Sequence, residues 1–139
     1  MKPLSEALDA LGGQPGTARA EGTAGSIEVD VADVDRLGVR VSRVKVARSP
    51  VDVEAEAHAL PQRLRALPHA IAPVEVAPTL GGARLRSIPA HAKDGWFEVA
   101  IEPGESVVTR TVRRGAERVS GDWTMTREQL EQLVEELGG

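Results

Sequence analysis

The chain has 139 residues, a net charge of −4 and no cysteine, which points to one domain around a single core. It also excludes disulfides, thiolate metal sites and cysteine nucleophiles. Apart from three histidines its only rings are Trp96, Phe97 and Trp123, so aliphatic side chains fill the core and no cofactor that needs stacking is expected. Met1–Glu6 lacks the apolar stretch of a secretory signal and no segment approaches a membrane span, so a cytosolic location is expected. Arg outnumbers Lys 14 to 3 amid abundant Ala and Gly, a usage typical of a GC-rich bacterial genome, so the arginine bias is not credited to function.

The charge is unevenly spread. Residues 1–35 carry 2 basic and 7 acidic side chains, residues 36–118 carry 14 and 9, and residues 119–139 carry 1 and 5. A basic middle between acidic ends suits a polyanion, or self-neutralisation within one fold; the second is the plainer use.

In chain order, Pro3 to Leu11 predicts a short helix with Leu4, Ala7, Leu8 and Leu11 on one face, stopped by Gly12-Gly13. A helix this short is marginal alone and must dock on its own domain, a second copy or another protein. Residues 13–25, rich in Gly and free of large apolar side chains, read as a flexible linker. The helix of residues 1–12 is thus tethered to one domain spanning 26–139.

Three alternating segments follow: Ile27–Val31 with acidic polar positions, Val39–Val46 with basic ones, and Val51–Ala57 with acidic ones. Period-two alternation predicts three strands, with the basic one between the acidic ones and neutralised by them. The valine phase shifts between Val41 and Val44, which predicts a bulge near Ser42-Arg43. Leu60–Pro68 predicts one or two helical turns with Leu60, Leu64 and Leu67 inward. Val74–Val76, bracketed by Pro73 and Pro78, is a short strand at best.

The second half carries explicit turns. Asp94-Gly95 is a type I′ hairpin signal that sets Ile88, Ala90 and Ala92 across from Ile101, Val99 and Phe97. Pro103-Gly104 returns the chain along Val107–Val112, and Gly115-Ala116 sets Val112 against Val119 and Val108 against Trp123. The expectation is a four-stranded meander from Arg84 to Met125. Thr126 and Gln129 form a capping-box pattern before Leu130, Leu133, Val134 and Leu137, which predicts a terminal helix that covers the sheet.

The fold class is therefore α+β: a largely antiparallel sheet of about six to eight strands packed by a C-terminal helix, with a short N-terminal and a short mid-chain helix. The order helix, three strands, short helix, strands, helix is similar to that of small secretion-chaperone-like domains, a likeness of element order that no residue motif carries.

Chemistry-bearing residues are few. His58, His69 and His91 lack metal-ligand spacing. His91 falls opposite Glu98 in the expected register, half of an acid–base arrangement, but a cross-strand ion pair is the plainer use. Arg110 falls on the apolar face opposite Phe97, between Val108 and Val112. Either it snorkels at the open end of that face, or the register slips by one, or it anchors a carboxylate or phosphate. Arg84 and Arg86 after Gly81-Gly82 could join it, although a glycine turn leading into a strand is the simpler reading. Arg113, Arg114 and Arg118 cluster at a hairpin tip with Glu117 among them, and the missing interleaved aromatics disfavour nucleic acid. Trp96 flanks Asp94-Gly95 on the face opposite Phe97, either helix-covered or exposed as a partner anchor.

The leading expectation is a non-catalytic protein-interaction module, a small adaptor or chaperone-like protein that contacts another protein or a second copy of itself through Leu4, Leu8, Leu11 and Trp96. A small-anion or nucleotide binder using Arg110 with Arg84 and Arg86 is the second, and a hydrolase using His91 the third. No metal, membrane or cofactor is expected.

Overall fold

The alternating valines of the first half build the centre of the sheet. In the computed structural model, which describes residues 2–77, 81–88 and 94–139, they form β2 (Ser26–Val34) and β3 (Gly38–Ala47). The pair is antiparallel, with Ile27, Val29, Val39, Val41, Val44 and Val46 buried on one face. Ser42 is left out of the register between Val41 and Arg43, the bulge that the valine phase predicts.

The remaining elements are α1 (Lys2–Asp9), β1 (Gly16–Glu21), α2 (Val53–Arg63), β4 (Ile71–Ala77), β5 (Gly82–Ser87), β6 (Gly95–Glu102), β7 (Glu105–Arg114), β8 (Glu117–Gly121), β9 (Trp123–Thr126) and α3 (Arg127–Gly138). Among the described residues nine strands make one antiparallel sheet in the order β1-β2-β3-β7-β6-β5-β4, with β8 added to β7 and β9 to β3. This is an α+β fold. The three helices bury their apolar stripes in one continuous core on one face of the sheet. No helix among the described residues is long and apolar enough to cross a membrane.

The Ser42 bulge has a topological consequence. Arg43 to Ala47 pair with β7, whereas Gly38 to Val41 pair with β9. The expected pairing of Val108 with Trp123 therefore does not occur: Val108 meets Val44 and Val99, and Trp123 meets Val41. Beyond Gly121 the chain leaves β7, and Asp122 reaches Arg40 at 3.6 Å as β9 joins β3. The turns at Pro103-Gly104 and Gly115-Ala116 stand as expected, with Glu102 opposite Glu105 and Val112 opposite Val119.

Four expectations are corrected. Residues 13–25 are not simply a linker, because Gly16–Glu21 forms β1 along the whole of Ser26–Val31. Ala18 is buried there and α1 packs against this strand, so the pairing and the helix together order a segment of low strand propensity. Val51–Ala57 is no strand: Asp52 accepts the Ala55 N–H at 3.0 Å as an N-cap, and α2 runs from Val53. Leu60 belongs to that same helix, with Pro61 in its last turn, while Leu64 and Leu67 are buried beyond it.

The third correction concerns the basic strand. Its neighbours are β2 on one side and β7 with β9 on the other, and Lys45 finds Glu105 at 3.6 Å. Arg43 lies 3.3 Å from Glu28 and 3.6 Å from Asp30, so the strand is neutralised as expected, by partly different carboxylates.

The fourth is the register of β5 on β6. Ala83 and Leu85 face Ile101 and Val99, the partners expected for Ile88 and Ala90; Ala90 and Ala92 themselves lie outside the described residues. Strand β5 ends at Ser87, whose buried hydroxyl accepts the Phe97 N–H at 2.9 Å, and Ile88 is left exposed. Asp94-Gly95 is thus not a two-residue hairpin. Gly95 is required for another reason: it sits at φ 132°, and a Cβ would lie 2.2 Å from the Thr111 carbonyl oxygen on β7. Gly95→Ala is expected to destabilise the fold by about 2–3 kcal/mol in urea unfolding. A loss under about 0.5 kcal/mol would mean that this close approach is not needed.

Candidate functional site on the open face of the sheet

With the helices on one face, the strands alternate polar side chains onto the other, where no helix of the described residues packs. At its β5–β6–β7–β8 end this open face carries an aromatic ring under arginines. Trp96 follows from the alternation with Phe97: one ring enters the core, the other turns to the polar face. It is nonetheless only 2% exposed. The guanidinium carbons of Arg86, Arg113 and Arg118 lie 5.3, 5.5 and 5.4 Å from its ring centroid. That is the range of cation–π attraction, so the arginines cover the ring and are ordered by it.

The charges of this cluster do not cancel. Arg86 donates from Nε to Glu98 at 2.7 Å, and the Trp96 indole leans on the same oxygen at 3.4 Å. Arg113 and Arg118 have no ion pair among the described residues, although they are direct cross-strand partners. Like charges placed opposite each other weaken a strand pair, so the pair is a local cost to the fold. Both side chains are largely in solvent, with their forks free to take an oxyanion.

The expected site residues are distributed differently from the sequence reading. Leu4 and Leu8 are each 1% exposed in the protein's own core, and Leu11 packs partly against it, so they present no free apolar face. Trp96 is buried beside Arg86, Arg113 and Arg118 of its own chain rather than exposed. Arg84 and Arg86 lie on the open face, whereas Arg110 lies on the helix-covered face opposite Phe97, so the sheet separates residues expected to act together. The Arg110 register is as expected, without slippage, and its guanidinium sits 4.8 Å from the Phe97 centroid. His91 lies outside the described residues; Glu98, expected opposite it, pairs with Arg86 instead. His58 and His69 are exposed.

A second charged constellation was not anticipated. Glu56, turned inward from α2, receives two hydrogen bonds from Arg63 at 3.0 and 3.1 Å and lies 3.6 Å from Arg48 Nε. Arg48 also donates to the Ser106 hydroxyl at 2.6 Å and to the Glu102 carbonyl at 3.2 Å. Arg63 donates to the Glu136 carbonyl at 2.7 Å, at the C-terminal end of α3. Burial pushes the Arg48 guanidinium below its ordinary pKa, and Glu56 opposes that shift. These groups border a cleft of about 380 Å³, but each has partners in the fold, and together they bind β3, α2, the β6–β7 turn and α3 into one body. On a helix over residues 53–63 the i, i+7 spacing puts Glu56 and Arg63 on one face, which is the sequence signal for the pair.

No family model, curated protein or solved structure matches the chain.

Proposed function

We propose that this protein is a non-catalytic interaction module, a small cytosolic adaptor or chaperone-like protein that docks an acidic segment of another protein on the open face of its sheet. The observation that carries this reading is the Arg113–Arg118 pair. Two arginines stand directly opposite each other, without an ion pair among the described residues, over a tryptophan that holds them in place. Charge complementarity names the occupant: after Glu98 offsets Arg86, two positive charges remain for carboxylates to meet. Because the arginines cover the Trp96 face, it is closed to base stacking, which favours an acidic peptide over a nucleic acid.

The test is binding of a fluorescent glutamate-rich peptide. Arg113→Gln with Arg118→Gln is expected to weaken it at least about tenfold without lowering thermal stability, since these neutral substitutions also remove a like-charge clash. Added salt is expected to weaken wild-type binding in the same direction. Equal affinity of the two proteins at low salt would sink the reading.

A further inference from the structure

We propose that the Phe97 corner, on the helix-covered side of the sheet, binds a carboxylate, held by the Arg110 guanidinium and the Trp123 indole N–H. The site is distinct from the open-face cluster and does not depend on it. Two hydrogen-bond donors without acceptors among the described residues flank one ring there. Arg110 stacks on Phe97 with its guanidinium carbon 4.8 Å from the centroid, and it makes no ion pair or hydrogen bond among the described residues. Residues 1, 78–80 and 89–93, which lie outside that set, include no Asp or Glu to neutralise it. Trp123 meets the same ring edge-on at 5.2 Å. Its residue is 8% exposed, and its Nε1 is buried without a hydrogen-bond partner. Buried polar groups are almost always satisfied, and an arginine at the rim of an apolar face is normally paired, so the missing group is an acceptor that carries negative charge.

The topology explains how the corner arises. Phe97 on β6, Arg110 on β7 and Gly121 on β8 are lateral neighbours, and Trp123 follows Gly121 by two residues as the chain crosses to β3. A Cβ at Gly121 would lie 2.6 Å from Val112 Cγ1, so a side chain there would force Val112 to shift. Val108 is fully buried, while Arg110, Val112 and Val119 are half-buried, so the corner lies where the covered core opens towards solvent. One guanidinium fork matches one carboxylate in charge and shape, and the indole N–H supplies a further donor. Phe97 and Val112 give apolar walls, so an acid with an apolar body is the fitting class, either a free carboxylic acid or a Glu or Asp side chain of a bound protein.

The experiment follows the two indole N–H signals by two-dimensional NMR, with Trp123 assigned from Trp123→Phe, during titration with sodium acetate, butyrate or chloride. A saturable shift of the Trp123 signal is expected with acetate and butyrate but not with chloride. Butyrate is expected to bind about tenfold more tightly than acetate for its two added methylenes. Arg110→Gln should abolish the shift, Arg110→Lys should weaken it about tenfold by removing the fork, and Arg113→Gln with Arg118→Gln should leave it unchanged. Tighter binding of a capped peptide bearing one Glu than of butyrate assigns the natural acceptor to a protein, and the reverse order assigns it to a free acid. No saturable shift in wild type, or a shift that survives in folded Arg110→Gln, would overturn the site.

Discussion

Replacing Leu4 and Leu8 together with alanine is expected to cost about 5 kcal/mol or more of unfolding free energy, because each removes a fully buried side chain. On a helix of eight residues, which has little stability of its own, no other apolar residue is buried. The substitutions therefore undock α1 and uncover β1, against which it packs. Arg127 shows how far α1 is built into the domain. From the first turn of α3 it bonds Asp9 at 2.9 Å and Ser5 at 3.2 Å, and it reaches the Asp35 carbonyl at 3.1 Å. A cation at a helix N-terminus opposes the dipole, and Asp9 offsets it. Thermal unfolding is expected to fall by at least about 10 °C, with early loss of amide protection in β1. A midpoint within about 3 °C of wild type would restore α1 as a detachable element available to partners.

The contrast between α1 and its expected role shows where the sequence stops speaking. Features set by neighbours in the chain were legible: the capping box of Thr126 and Gln129, the turns at Pro103-Gly104 and Gly115-Ala116, and the bulge at Ser42. Features set by competition between distant segments were not. Thr17 to Ala20 has a weak strand pattern, and it becomes β1 only because β2 offers a free edge and α1 needs a surface. The departure of β9 from β7 depends on β3, more than eighty residues earlier, having a vacant half beyond its bulge. The same limit applies to the sites. Arg110 opposite Phe97 could be read from a local hairpin, but its neighbour Trp123 could not, because that contact follows from where β9 goes. Arg113 and Arg118 read in sequence as solvated tip charges, because Trp96 beneath them comes from a different strand.

Val51–Leu60, where Val51–Ala57 reads as a strand, is the most instructive departure, and it leads to the second large effect. The segment alternates as Val-Asp-Val-Glu-Ala-Glu-Ala, yet Val53, Glu56, Ala57 and Leu60 also fit i, i+3, i+4, i+7, and these are the buried positions of α2. The helical stripe is masked because one of its members is a glutamate. Glu56 can face inward only because Arg48 and Arg63 meet it there, with Arg48 and Glu56 side chains 3% and 8% exposed. Neutralising Glu56 as Glu56→Gln keeps the volume but leaves two guanidinium groups beside a neutral amide, one of them buried. Removing one partner of a buried ion pair costs about 3–5 kcal/mol, since an uncompensated charge stays in a poorly solvated place. Surface pairs such as Lys45–Glu105, with both side chains about a third exposed, contribute far less. Glu56→Gln is thus expected to lower the unfolding free energy by about 3 kcal/mol, against under about 1 kcal/mol for Glu105→Gln measured alongside it. The triple change Glu56→Leu, Arg48→Met, Arg63→Leu separates charge from packing. If the network matters mainly through its uncompensated members, the apolar triple recovers much of the loss. If the triple is worse than Glu56→Gln alone, the hydrogen bonds to Ser106, the Glu102 carbonyl and the Glu136 carbonyl are what hold the helices to the sheet.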